Sequence, residues 1–222
     1  MVAVVQQHPS IPVEAGGATQ PPHASKPPRS AGGWRSVVST IGILVAAPLV
    51  ALLLTAFVFQ SYEVDGPSME TTLQNRDRLI VWKMPRTLAR LTSHTYIPNR
   101  GDVIVFVKHG LYEPGGTQEK QLIKRVIGLP GDHVVVQDGH ITIFNAQHPE
   151  GYNPDVDHDF SANISSLTTG NVDIIVPTGE VFVCGDNRTN SLDSRSFGTI
   201  AAHDIVGRLS LRVFPLNNFK SF

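Results

Sequence analysis

The sequence predicts a mainly β protein: an antiparallel β-sheet domain with a small cap insertion, preceded by one N-terminal transmembrane helix. Two observations carry this. A long uncharged apolar run lies near the N-terminus, and beyond it short β-branched and aromatic runs alternate with turn residues. Strand and helix patterns do not alternate and no dinucleotide-type glycine loop occurs, so a parallel α/β sheet is not expected.

Residues 1–33 hold six prolines and four glycines with little apolar periodicity. Such a composition buries too little surface to offset the entropy of ordering, so residues 1–35 read as a disordered tail. From Ser36 to Tyr62 no charged residue occurs, and Val37 to Phe59 is nearly continuous apolar sequence. Residues 36–60 are therefore expected to cross a bilayer once, with Pro48 tolerated inside the span. Lys26, Arg29 and Arg35 precede the run, whereas Glu63, Asp65 and Glu70 follow it before the next basic residue, Arg76. This asymmetry predicts a cytoplasmic N-terminus and an extracytoplasmic domain over 61–222. A cleaved signal peptide is the competing reading, but the leader and the apolar run are both too long for one, and no A-x-A-like site follows.

The runs DRLIVWK, GDVIVFVK, HVVVQ, HITIFN, VDIIVP, EVFVCG and DIVGRLSLRVF read as strands. Asp138-Gly139 separates two of them as a two-residue hairpin turn, and Pro130-Gly131-Asp132 marks another turn. Only Arg86 to His94 looks helical. Residues 145–171 are polar, with prolines and glycines, and the cap insertion is placed at about 145–176.

Composition narrows the function. The net charge of −1 gives no basic surface for nucleic acid, and the single cysteine, Cys184, excludes an intrachain disulfide and multi-cysteine metal sites. Cys184 reads as a small buried hydrophobe in VFVC. The histidines are scattered without ligand spacing, and Asp155, Asp157 and Asp159 lack the glycine and terminal glutamate of a calcium loop, so they read as solvated loop charge. No metal or cofactor is expected.

Three segments carry chemistry. In VDGPSMETTL, Ser68 follows a turn-forming Asp-Gly-Pro, and a buried Met69 would fix that turn. Alone, a turn serine is usually a local hydrogen-bonder. Lys124 lies in QLIKRVIGLPGD, flanked by Leu122, Ile123, Val126 and Ile127, and the β period puts it opposite Ile123 and Arg125. Burial there would lower its pKa and let it take a serine proton, whereas on an edge strand it would merely guard against aggregation. The third segment, GDNRTNSLDSRSFG, is a dense loop of turn formers and charges, and such charges taken separately are more often structural pairs than catalytic groups, a reading open for Asp186, Asp193 and Arg195.

Together, and in this order, the span, the Ser68 motif, GDVIVF, KRVIGLPGD and GDNRTNSLDSRSFG resemble the bacterial type I signal peptidases, over the chain from the span to about Arg208. The resemblance implies an extracytoplasmic serine endopeptidase that removes signal peptides from exported precursors at the cell membrane, with no cofactor. It implies Ser68 as nucleophile and Lys124 as general base, with the Ser68 backbone N–H in the oxyanion hole. A second hydroxyl two residues before the nucleophile completes that hole in some members. Gly66 stands there, as in Gram-positive-like members. By the same resemblance Ser191 orients the lysine amine, Arg125 pairs with Asp186, and Asp193 pairs with Arg195. Tyr62, Val64, Asp65 and Ile123 would wall pockets for small side chains, with substrate bound by strand addition. Partners implied are signal-peptide-bearing precursors, the lipid bilayer and the protein-export translocon. The family reads SMxPTL where this chain has Thr71 in place of proline, which leaves open an inactive membrane-tethered homologue serving as a binding or assembly protein.

Overall fold

A run of uncharged apolar residues satisfies its backbone in lipid only as a helix. The computed structural model, which describes residues 33–112, 119–164 and 166–222, has helix α1 at Gly33–Phe57. Its Val37–Phe57 stretch has a mean hydropathy of 2.6, with none of it buried against protein. The expected tail lies outside the described residues up to residue 32. The helix starts earlier than the predicted residue 36 and stops short of residue 60. The reason is strand pairing: Phe59–Glu63 forms β1, antiparallel to β2 (Arg78–Trp82), with Phe59 opposite Trp82. Hydropathy registers only that Phe59 is apolar, and the ladder decides its conformation.

The contacts divide the chain into two units, Met1–Val45 and Ala46–Phe222, and the second holds the end of α1 and all the β-structure. Helix α2, Met84–Leu91, falls slightly before the expected Arg86–His94. Pro85 sits in its first turn, where a missing N–H costs nothing. Strands β3 (Val103–Tyr112), β4 (Glu119–Gly128), β5 (His133–Gln137) and β6 (His140–Phe144) follow. Asp138 and Gly139 between the last two have φ of 53° and 81°, as a type I′ turn requires. A short helix α3 (Pro154–Asp157) precedes β7 (Val172–Ile175) and β8 (Glu180–Cys184). Helix α4 (Ser194–Phe197), β9 (Ile200–Ala201), β10 (Ile205–Phe214) and β11 (Lys220–Ser221) complete the described elements.

One sheet has the order β1-β2-β10-β3-β4-β8-β9, with β11 added to β10, and a second has the order β6-β5-β7. The insertion joins the second sheet. Its last strand, β7, completes the small sheet by pairing with β5. That sheet packs Val134, Val136, Ile141 and Ile143 against Ile127 of β4 and Phe182 and Cys184 of β8, all wholly buried. Burial pushes the Cys184 thiol up to about 12, so it is an inert packing group.

Candidate active site

Three segments far apart in sequence converge on Ser68. The turn before it depends on Gly66, whose φ of +96° lies in the region that favours glycine. Its N–H donates to Asn75 Oδ1 at 3.1 Å. After the turn, Met69 and Leu73 are buried with Val64, Leu79, Val103 and Leu209. These two anchors leave Ser68 half-buried at the surface of its loop.

Lys124 approaches from β4, opposite Ile104 of β3, and is 3 % exposed. It is no edge-guarding lysine. Its Nζ donates to Ser68 Oγ at 2.7 Å and to the Ile123 carbonyl at 2.8 Å. Burial lowers its pKa to about 8, against the opposing fields of Asp193 and Asp186. With that pKa roughly a tenth of the amine is neutral at pH 7 and about half at pH 8.

The third segment clamps the first. Gly185 packs so closely that a Cβ there would overlap the Ser68 carbonyl oxygen and Ser191 Oγ. Asn187 donates its backbone N–H to the Ser68 carbonyl at 3.1 Å and its side-chain amide to the Pro67 carbonyl at 3.2 Å. Asp193 accepts from Gly185 N–H at 3.0 Å and from Arg195 through both Nε and Nη2, at 2.9 and 2.8 Å. Burial opposes the Asp193 charge, yet Arg195 and the Gly185 amide hold its pKa below the usual carboxylate range. Arg125 pairs with Asp186 through Nε at 2.8 Å and Nη2 at 2.5 Å, and Thr72 donates its hydroxyl to the same carboxylate. The Arg125 guanidinium also stacks 4.9 Å from the centre of the Phe160 ring.

Among the described residues Ser191 makes no hydrogen bond to Lys124. The two hydrogen bonds of the Lys124 amine go to Ser68 and Ile123, and Ser191 Oγ is buried beside Asp193 without a well-formed partner. The loop backbone places this hydroxyl next to Gly185, and no sequence pattern encodes that offset.

Two other contacts were hidden in the sequence. Asp155, read as solvated, is an internal partner of Arg188: Arg188 Nε reaches its Oδ2 at 3.1 Å, and Nη2 bonds the other oxygen. Arg188 is the largest fully buried side chain, and its Nη1 donates to the Gly185 carbonyl at 3.0 Å. A buried guanidinium requires a carboxylate, so the arginine of GDNR was itself a signal that an acid would come from elsewhere. Thr71 likewise donates to the Asn163 carbonyl at 2.8 Å.

A cleft of about 180 Å³ opens beside the pair, lined by Ser68, Lys124, Tyr62, Val64, Asp65 and Ile123, with Leu79, Val105 and Leu122 adding apolar wall. Among the described residues β1 pairs only with β2, and the part of β4 before Arg125 pairs only with β3. Two unpaired backbone edges thus border the cleft. Among the described residues no His, Cys, Asp and Glu group could hold a metal ion.

A turn serine hydrogen-bonded to a buried amine on an antiparallel β scaffold fits a serine protease. The family described as signal peptidase, peptidase S26, matches residues 35–214, and this chain belongs to it. It is similar to signal peptidase I of Bacillus licheniformis, 32 % identical over 83 % of this chain and 92 % of that protein. Signal peptidase I T of Bacillus subtilis is 35 % identical over 80 % of this chain and 85 % of its own length. A probable signal peptidase I-1 of Synechocystis sp. is 34 % identical over 84 % and 87 %.

Proposed function

We propose that the chain is a membrane-anchored signal peptidase I that cuts signal peptides from exported precursors, with Ser68 as nucleophile and Lys124 as general base. The observation that carries this is the 2.7 Å contact between Lys124 Nζ and Ser68 Oγ at a position that lowers the lysine pKa to about 8. Neutral Lys124 takes the Ser68 proton as Oγ attacks the scissile carbonyl. The Ser68 backbone N–H receives the developing oxyanion, a contribution of several kcal/mol for one donor. On collapse, the protonated lysine gives its proton to the leaving amine, which becomes the N-terminus of the mature protein. The signal peptide stays esterified to Ser68 until water, deprotonated by the same lysine, releases it. Arg125 with Asp186 and Asp193 with Arg195 hold the loop that presses on the Ser68 backbone, and Ser191 fills space beside Asp193.

An extended substrate fits between the edges of β1 and β4, with main-chain pairing along Tyr62–Asp65 and Gln121–Ile123. Val64, Ile123 and Tyr62 leave a shallow apolar cleft, which suits small side chains before the cut. The charges flanking α1 support a cytoplasmic N-terminus and an extracytoplasmic active site at the cytoplasmic membrane. There the precursor would arrive from the translocon.

The test is cleavage of a signal-peptide-bearing precursor by purified Ser68→Ala and Lys124→Ala variants. Each should lose about 10³-fold or more in rate with an unchanged circular dichroism spectrum. Near-normal cleavage by either folded variant would overturn the assignment, and a wild-type chain that cleaves nothing would favour the tethered binding protein.

A further inference from the structure

Where α1 ends, the chain builds a basic pocket that peptide cleavage does not use. Lys83, at the N-cap of α2, and Arg86, Thr87 and Arg90 within it follow the i, i+3, i+4, i+7 spacing of one helix face. Together with Ala56, Phe57 and Gln60 they line a cavity of about 400 Å³. Lys83 Nζ donates to the carbonyls of Thr55 and Ala56, at 3.0 and 2.8 Å, and Thr87 Oγ1 donates to that of Phe57 at 3.1 Å. The pocket is thereby tied to the last turn of the apolar helix.

Lys83 Nζ also donates to Gln60 Oε1 at 3.4 Å, so its three N–H donors all meet uncharged oxygens. Among the described residues none of Lys83, Arg86 and Arg90 forms an ion pair with a carboxylate. Arg86 Nε is buried without a hydrogen-bond partner, and Arg86 Nη2 reaches only the His203 carbonyl at 3.2 Å. Burial, and then repulsion from a neighbouring cation, lowers the pKa of both Lys83 and Arg86, and the field of Asp204 offsets this at Arg86 only in part. Clustering like charges without a counterion is unfavourable, and an anion in the cavity would relieve it.

The surroundings specify which anion. Leu88 and Leu91 project from the adjoining face of α2, 55 % and 79 % exposed. Phe59 and Trp82, packed edge to face at 5.8 Å, are also exposed directly after α1. Aromatic and leucine side chains beside cations, one turn past an apolar helix end, match the boundary between acyl chains and headgroups.

We propose that Lys83, Arg86 and Arg90 form a site for the phosphate of an anionic phospholipid in the leaflet where α1 ends, with Leu88, Leu91, Phe59 and Trp82 seated among its acyl chains. This rests on the reading of α1 as a membrane anchor and is independent of the Ser68 chemistry. A bound lipid would fix the depth of α2 and hence of β1, whose edge borders the cleft.

The full-length protein is reconstituted in nanodiscs containing equal phosphatidylglycerol and phosphatidylcholine, and retained lipid is counted by native mass spectrometry. Wild type should keep phosphatidylglycerol at least about fivefold over phosphatidylcholine. Each basic residue near an anionic surface is worth about 1 kcal/mol, roughly fivefold, so Arg90→Gln should lower that preference several-fold. The combined Lys83→Gln, Arg86→Gln, Arg90→Gln variant should abolish it. Arg90 is exposed, so its single substitution tests the site even if the triple variant misfolds. Equal retention of both lipids by wild type, or a preference unchanged in Arg90→Gln, would overturn the site while leaving anchoring intact. Displacement of the lipid by millimolar inorganic phosphate would instead make it a soluble-anion site and overturn the lipid assignment. Recovery of the chain in a detergent-free soluble fraction would overturn the anchor reading, and the proposal with it.

Discussion

Thr71 donates its hydroxyl to the carbonyl of Asn163 at 2.8 Å, joining the loop that carries Ser68 to the polar insertion. The residue that departs from the family pattern thus has a structural role of its own. Thr71→Val keeps the shape and removes the donor. Because the contact is exposed, it should cost about 1 kcal/mol or less in chemical denaturation and change cleavage only a few-fold. A loss of about 100-fold or more would mean that the insertion controls the position of Ser68 far more tightly than one hydrogen bond allows.

The proposed role of Lys124 as general base predicts a pH dependence. As a base it works only when neutral, so kcat/KM should climb about tenfold per pH unit below its pKa of about 8 and level off above it. Stability follows the same group. The unfolded lysine holds its proton to about pH 10.4, whereas the folded one releases it from about 8. Between those values the unfolded state binds more protons, so this group makes stability rise with pH, and its full cost is present below 8. A pH–rate profile and melting curves of wild type and Lys124→Met test both signs. A profile flat from about pH 6 to 9 would count against Lys124 as the base.

Arg188 and Asp155 form a buried pair joining the GDNR loop to the insertion. Removing either partner strands the other. Asp155→Ala and Arg188→Ala should each destabilise by about 3–5 kcal/mol, while the double variant should cost less than their sum. Strict additivity in a double-mutant cycle would show that the pair is not coupled.

Gly66 stands where the resemblance puts a second oxyanion hydroxyl in some members, and its backbone sits at φ +96° with open space where a Cβ would stand. Gly66→Ser is therefore limited by conformation, not room. It should lose about 1–2 kcal/mol of stability with no gain in kcat. A faster enzyme would show that the loop relaxes to deliver the hydroxyl.

The local patterns were legible along the chain. Uncharged hydropathy located α1, β-branched runs located β2, β3, β5, β6, β7, β8 and β10 but not β1, β9 or β11, and Asp138-Gly139 specified a hairpin turn, because each depends on near neighbours. Ser68 and Lys124 could be paired only through the resemblance, since their separation in sequence says nothing about distance. The end of α1 at Phe57 was hidden because Phe59 is apolar enough for lipid, and its pairing with Trp82 is a long-range choice.

Residue order was enough to establish the kind of chain this is: an apolar helix followed by β-structure carrying a family's motifs. It took the folded arrangement to bring Lys124 to Ser68, to bury Asp155 with Arg188 and to gather Lys83, Arg86 and Arg90 where α1 ends. The physical reason is the same in each case. A side chain's pKa, partner and exposure depend on what the fold brings within a few ångströms, and for these residues that neighbour comes from a distant segment.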